Sequence, residues 1–327
     1  MRRRDLIGLI GAGWLIPPQI GVAQVTAHRP IVAVLAQRSP AAMQRYMDAF
    51  TAGMQEHALI AGRDFDIVLR SAESDPKRIP GLLMELIALN PAVIMTPDTT
   101  ITVVAKRATE TIPIIGVGIA DPVGFGLVVS LAHPGGNVTG LLSSIDRLTV
   151  KQLEILLHVV PQASKIGILL NANNPANVLG MHLLQTDTTT MPIKLIPAEL
   201  HSSTDIETAF QSFVKEHVQA VFVFQDGLFL FNAARIAALA NAERLPTVFG
   251  FREQVEAGGL ISYGLNRSDL WRRAAAYTTK ILKGTRPADL PVEMQPKLEL
   301  VINLKTAKAL GITIPPSVMA FANDVIE

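Results

Sequence analysis

The side chains of this chain that could do chemistry gather after its apolar runs. Gln37, Arg38 and Ser39 follow Ile31 to Ala36, Asp98, Thr99 and Thr100 follow Ala92 to Thr96, and Asp121 follows Ile112 to Ile119. Further on, Asn171, Asn173 and Asn174 follow Lys165 to Leu170, Gln225 and Asp226 follow Ala220 to Phe224, and Arg252 follows Thr247 to Phe249. Amides, hydroxyls and single charges of this kind suit holding a polar molecule. Asp226 is the preferred charged contact, because a carboxylate in a half-closed cleft can pair with a ligand ammonium. Every candidate also has a structural use. Ser39, Thr100 and Asn174 stand before helices and serve equally as N-caps. Asp121 before Pro122, and Asp226 itself, can simply start turns.

Catalytic patterns are weak by comparison. None of the seven histidines (28, 57, 133, 158, 182, 201 and 217) makes an HExxH or another close ligand pair on one helix face. There is no GxSxG elbow and no Walker A loop. Pro134-Gly135-Gly136-Asn137 does not open a helix, so a turn fits it better than a phosphate cradle. The reading is therefore no enzyme, no cofactor and no metal. The absence of cysteine excludes disulfides, thiolate metal sites, a cysteine nucleophile and a lipid on an N-terminal cysteine. A balance of 29 basic against 28 acidic residues, with few aromatics, sets up no field for nucleic acid.

The elements that must position these residues follow from periodicity. At 327 residues the chain is long enough for two cores. Ile31 to Ala36 reads as a buried strand, and Met43, Tyr46, Met47, Phe50 and Met54 have helical spacing after it. Strand and helix then alternate: Phe65 to Leu69, a helix carrying Ile79, Leu82, Leu83, Leu86 and Ile87, Ala92 to Thr96, a helix from Ile101 to Thr109, and Ile112 to Ile119. Such βαβαβ order implies a parallel sheet with right-handed crossovers. The glycine-rich stretch Gly124 to Gly136 and apolar Val138 to Leu142 read as a crossing into a second body. There the alternation restarts, with strands at Lys165 to Leu170, Ile193 to Pro197, Ala220 to Phe224 and Thr247 to Phe249, and helices at Val150 to Val160, Asn174 to Gln185, Thr204 to Glu216 and, unbroken, Phe229 to Asn241. Leu260 to Leu265 reads as a second crossing, followed by a helix from Asp269 to Lys283. The fold class is α/β: two doubly wound parallel-sheet lobes joined by a multi-strand hinge. Ligands of such sheets sit outside the carboxyl ends of the strands, where the candidates above fall. Trp271 reads as core, whereas Phe251 and Tyr263 lie near the cleft and could cover a flat or apolar part of a ligand.

The N-terminus carries Arg2, Arg3 and Arg4, an apolar segment from Leu6 to Ile16, and Pro17-Pro18 before Gly21-Val22-Ala23. This is a signal-peptide pattern over residues 1–23. Arg3-Arg4-Asp5-Leu6-Ile7 fits a twin-arginine signal, and an ordinary secretory signal fits equally. The mature protein is expected in the periplasm, without a lipid anchor.

Several long stretches carry a resemblance: AKRATETIPII (Ala105 to Ile115), SLAHPGGNVTGL (Ser130 to Leu141), GGLISYG (Gly258 to Gly264), ILKGTRPADLPVE (Ile281 to Glu293) and LVINLKTAKALGITIPPS (Leu300 to Ser317). With Asp121-Pro122-Val123, Asn171 and Asn174-Pro175, they make the chain resemble bacterial ABC transporter substrate-binding proteins of the tryptophan/tyrosine type. The resemblance implies a type I periplasmic binding protein fold, with lobes 29–138 plus 266–296 and 139–265 plus 297–327. It implies a hinge at Gly135, Gly136 and Gly264 with a third strand near Leu298 to Val301, and it carries Thr99, Asp121, Asn171, Asn174 and Asp226 over as cleft positions. It further implies a monomer that captures a small molecule, an amino acid or another aromatic or organic compound, closes on it and delivers it to an ABC permease in the inner membrane. The chain departs from the family pattern at Asp98, where glycine is usual, and at Gly227-Leu228, where proline and aromatic residues are usual. A ligand-sensing receptor without transport and a two-domain α/β transferase are the alternatives.

Overall fold

The computed structural model describes residues 29–73, 75–143, 148–294 and 298–327. The expected leader, residues 1–23, lies outside them. The first sheet begins with β1 (Ile31–Ala36), β2 (Asp66–Ser71), β3 (Val93–Thr96), β4 (Ile114–Ile119) and β5 (Val138–Leu142), connected through α1 (Pro40–Glu56), α2 (Ile79–Ala88) and α3 (Thr99–Ala108). The second contains β6 (Lys165–Asn171), β7 (Lys194–Leu200), β8 (Ala220–Val223), β9 (Thr247–Phe249) and β10 (Ile261–Leu265). Its helices are α4 (Leu148–Val159), α5 (Pro175–Asp187), α6 (Ile206–Lys215), α7 (Gly227–Phe231), α8 (Ala233–Ala242) and α9 (Arg252–Glu256). The chain then returns through α10 (Arg267–Leu282) and β11 (Glu293–Met294), and ends with β12 (Leu298–Asn303), α11 (Leu304–Leu310), α12 (Pro316–Met319) and β13 (Asp324–Ile326).

Strand order is β11-β5-β4-β3-β1-β2 in one sheet and β13-β12-β10-β9-β8-β6-β7 in the other. From the β2 and β7 edges inward both run second, first, third, fourth, fifth, so the two halves repeat one unit. All the ladders are parallel except β10 with β12, where Tyr263 faces Leu300. Strands β3 and β8 are buried along their whole length, as a parallel sheet covered on both faces requires.

Alternation assigns each side chain of β1 to a face. Val32, Val34 and Ala36 pack with Met43, Tyr46, Phe50 and Met54 of α1 and with Trp271 and Ala274 of α10. Ala33 and Leu35 pack with Leu83 and Leu86 of α2 and Ile101 and Ala105 of α3. Helix α1 therefore lies against α10, which is distant in sequence. Their approach is close: a Cβ on Gly53 would sit 2.3 Å from the Arg272 carbonyl oxygen. Trp271 is core, as expected, with no exposed surface. The second sheet has its own core, built from residues such as Leu153, Ile168, Phe213, Phe222 and Phe249.

Two features differ from the sequence reading. Val138–Leu142, expected to lie largely in the second lobe, is the fifth strand of the first sheet, with Val138 opposite Ile114 and Gly140 opposite Gly116. The close pass of Gly140 over Gly116 needs glycine, because a Cβ there would lie 2.0 Å from the Gly116 carbonyl oxygen. The single helix expected from Phe229 to Asn241 is two helices, α7 and α8, meeting at Asn232, whose side-chain amide donates to the Leu228 carbonyl.

Candidate functional site

The chain passes between the sheets after β5, after β10 and between β11 and β12. Gly135 and Gly136 are not at these passages. They precede β5, with Gly135 N–H donating to the Ala288 carbonyl at 3.5 Å, so the full length of β5, about 16 Å, separates them from the passage at Ser143. Their flexibility serves a turn at the far end of the sheet. Gly264 lies inside β10, where a Cβ would meet the Gly250 carbonyl oxygen at 2.1 Å. It is needed for that close packing, one residue before the strand ends.

In the second sheet, three expected residues come together. The Asp226 carboxylate accepts from Asn171 Nδ2 at 3.1 Å, from Asn174 Nδ2 at 2.7 Å and from Leu228 N–H at 2.7 Å. Asp226 is thus also the N-cap of α7, and Asn174 is the N-cap of α5 through Ala176 N–H at 3.0 Å. The structural and the binding readings coexist on the same atoms. Each side chain remains partly exposed, so lone pairs and amide protons are left for a ligand.

In the first sheet, Asp98 caps α3 through Ile101 N–H at 2.9 Å, and Thr99 Oγ1 accepts from Ala120 N–H at 2.8 Å, tying α3 to the end of β4. Ser39 caps α1, accepting from Ala42 N–H at 3.3 Å. Burial pushes the Asp98 carboxyl above the ordinary range, with the Asp226 charge adding in the same direction, while Ile101 N–H and Arg267 oppose the shift. Asp98 and Asp226 therefore feel each other across the gap between the sheets. Asp121 takes the bland alternative. It is exposed at φ +39°, and its Oδ1 accepts Gly124 N–H at 2.9 Å within its own turn.

Contacts between the halves close the gap. A Cβ on Gly227 would lie 3.8 Å from Gln37 Oε1, so Gln37 faces α7. Arg38 pairs with Glu253 at 3.4 Å and donates to Tyr46 Oη at 3.3 Å. Burial pulls the Arg38 guanidinium below its usual range, and Glu253 opposes the shift. Arg45 makes a two-toothed contact with Glu256, at 2.8 and 3.2 Å. Arg252 links Glu256 at 2.8 Å to Asp324 and, at 3.8 Å, to Glu299. The Arg267 guanidinium lies over two rings, 5.4 Å from the centre of Tyr46 and 5.3 Å from that of Phe251. Phe251 is thus at the junction of the halves, whereas Tyr263 packs on the second core, its carbonyl accepting from Gln152 Nε2 at 2.6 Å. A cavity between the halves is lined by Arg45, Tyr46, Arg252, Glu253, Arg267 and Glu299, among others.

Tyr46, Arg45, Arg267, Glu253 and Glu256 were not anticipated as site residues. Tyr46 has helical spacing and is indeed only 1% exposed, so its pattern signals core. Arg267 does have a sequence signal: it stands directly after the second expected crossing. Among the described residues no group of three or more histidines or carboxylates is placed to hold a metal ion, and no helix is long and apolar enough to cross a membrane.

Two α/β units of the same strand order, crossed more than once by the chain and meeting at the carboxyl ends of their strands, define a binding protein of the type I periplasmic fold. The pattern of the ABC transporter substrate binding protein family matches residues 31–326, and the chain belongs to that family. It is 25% identical over 292 residues, 89% of this chain and 80% of the other, to a tyrosine-binding protein of Clostridioides difficile. Among solved structures, an ABC domain from Streptococcus pneumonia in complex with L-Trp is 25% identical with a TM-score of 0.82, covering 91% of this chain and all of that one. A conserved domain protein from Vibrio cholerae is 27% identical with a TM-score of 0.81, covering 90% and 99%. The chain is thus a substrate-binding protein that takes a small molecule for transport, and an ABC permease is its partner by family.

Proposed function

We propose that this protein is exported to the periplasm, captures a small amphipathic molecule between its two lobes, closes on it and presents the closed form to its permease. The observation that carries this reading is the convergence of residues from both sheets on one gap: Gln37, Arg38, Tyr46 and Asp98 on one side, Asn171, Asn174, Asp226 and Phe251 on the other. A ligand touching both sides stabilises the closed arrangement by its differential affinity, and no bond need be broken. The tyrosine- and tryptophan-binding relatives support an amino acid with an aromatic side chain as ligand. Asp226, held by two amides, receives the ammonium, and Phe251, at the junction of the halves, covers the flat side chain. Segments 29–143 with 266–294 make one lobe, and 148–265 with 298–327 the other, turning about the passages after β5, after β10 and before β12. The protein acts as a monomer, residues 1–23 are its removable leader, and it has no lipid anchor and no turnover of its own.

Trp271 stacks at 6.3 Å on Tyr46, and the other tryptophan, Trp14, lies in the leader. Its fluorescence therefore reports on the cleft. Titration with tyrosine, tryptophan, nucleosides and sugars should give saturable changes with the aromatic amino acids. Saturation by a sugar or nucleoside alone would reject the ligand class, and chemical conversion of a bound compound would reject the binding role.

A further inference from the structure

Arg267 has an unusual position for an arginine. Its side chain is half-buried at the first position of α10 and lines the cavity between the halves. Its guanidinium lies over one ring from each half, Tyr46 and Phe251. Contacts to ring faces do not use the guanidinium's five N–H donors, which stay available for hydrogen bonds. Among the described residues no carboxylate comes within the 4.0 Å of an ion pair, and no hydrogen bond uses those donors. The neighbouring arginines differ. Arg38 is matched by Glu253, Arg45 by Glu256, and Arg252 by Glu256, Glu299 and Asp324. Of these arginines Arg267 alone has no carboxylate in contact, and its positive charge also bears on Arg38. Asp98 also feels that charge, beyond contact range and already engaged by Ile101 N–H.

We propose that Arg267 reads a planar oxyanion, a carboxylate, on the ligand, through a paired N–H···O contact made while its faces stay stacked on Tyr46 and Phe251. Within its own lobe the guanidinium already lies over Tyr46, and Phe251 joins it as the lobes meet, so the fork is part-oriented before the ligand arrives and fixed on closure. One ring comes from each lobe, so the stack is complete only when the lobes meet. The residue thereby couples recognition of the acid group to closure. Arg267 selects against amines that lack a carboxylate, however well their flat portion fits.

This assignment rests on the proposed aromatic ligand, and the test separates the two. The probes are L-tyrosine and L-tryptophan, the decarboxylated amines tyramine and tryptamine, and the deaminated acids 3-(4-hydroxyphenyl)propionate and indole-3-propionate. Each is titrated against the wild-type protein, Arg267→Gln and Arg267→Lys, by Trp271 fluorescence and calorimetry, with circular dichroism to check folding. The wild type should bind L-tyrosine and L-tryptophan about 10- to 100-fold more tightly than the matched amines, which keep the Asp226 contact and lack only the carboxylate. Arg267→Gln should lose that preference while its affinity for the amines changes less than threefold, and Arg267→Lys should retain part of it. Equal wild-type affinity for the amino acids and their decarboxylated amines, or an undiminished preference for the amino acids in folded Arg267→Gln, overturns the assignment and leaves the aromatic ligand standing. Binding of none of the six overturns both. If Arg267→Gln does not fold, Arg267→Lys decides: a preference equal to wild type overturns the assignment, and a reduced one supports it.

Discussion

Arg45→Gln should loosen the closed arrangement. Arg45 grips Glu256 with two contacts at 2.8 and 3.2 Å, yet the two side chains are 39% and 36% exposed. Exposed pairs are typically worth about 0.2 to 1 kcal/mol, and the two-toothed geometry places this one toward the upper end. Glu256 keeps Arg252 at 2.8 Å after the change, so no buried charge is orphaned and the estimate holds near ~0.5 to 1 kcal/mol. A pair present only in the closed form shifts the open-to-closed ratio by about 2- to 5-fold, and apparent ligand affinity falls by the same factor when closure is the minority state. Because the chain has no cysteine, Lys77→Cys and Gln185→Cys, at exposed positions on opposite halves, can each carry one spin label. Distances between the labels, measured without ligand, should move to longer values in Arg45→Gln. Raising NaCl from about 0.05 to 0.5 M, which cuts the screening length below ~5 Å, should lengthen the wild-type distances toward those of the variant. Identical distributions in the two proteins at both salt concentrations would refute the argument that these charges hold the halves together.

Asp226→Ala removes the acceptor of Asn171 and Asn174 and the cap of α7. It should lower stability to urea by about 1 to 3 kcal/mol and weaken binding of amine-bearing probes; unchanged affinity would take Asp226 out of the site. Asp98→Asn keeps a capping oxygen. Because burial raises the Asp98 carboxyl in the folded chain, the folded state holds more protons than the unfolded state between the ordinary aspartate range and the raised value. Wild-type stability is then lost as pH climbs through that window. The asparagine variant should melt at a higher temperature than wild type at pH 7, with the gap closing toward pH 3; a gap independent of pH would contradict the shift. Gly140→Ala drives a Cβ to 2.0 Å from the Gly116 carbonyl oxygen and should destabilise by more than about 2 kcal/mol, read as a lower urea midpoint.

Much of the architecture is legible in one dimension. Strands β1, β3, β4, β6 and β9 are short apolar runs bounded by turn residues, and the repeated alternation already implies two parallel sheets. What is not legible is membership. Val138–Leu142 reads as a strand, but nothing local says which sheet it joins, and the glycines before it, which serve a turn, look in sequence like part of the crossing. The Asn171–Asp226–Asn174 cluster was reachable, because each residue follows a strand whose carboxyl end must face the ligand side. The contacts between the halves were not. Arg38 and Glu253 are 215 residues apart, and Arg45 and Glu256 are 211 apart, so their meeting depends on how the lobes close. Tyr46 shows the limit of periodicity: a helical stripe marks it as core, and only the structure shows that the Arg267 guanidinium lies over its ring.

The packing of α10 on α1 bears on how the chain acquires its structure. Met43, Tyr46, Phe50 and Met54 find their cover in Trp271, Ala274 and Ala275, more than two hundred residues later. An emerging chain can assemble the β6 to β10 unit while the first-made unit still has an apolar flank bare to water. That flank is the natural grip for a holding chaperone, and its closure by α10 is a late event. A protein threaded unfolded across a membrane completes this step on the far side, and one carried across folded completes it before departure. The position of a single helix in the chain therefore fixes when the molecule stops being sticky.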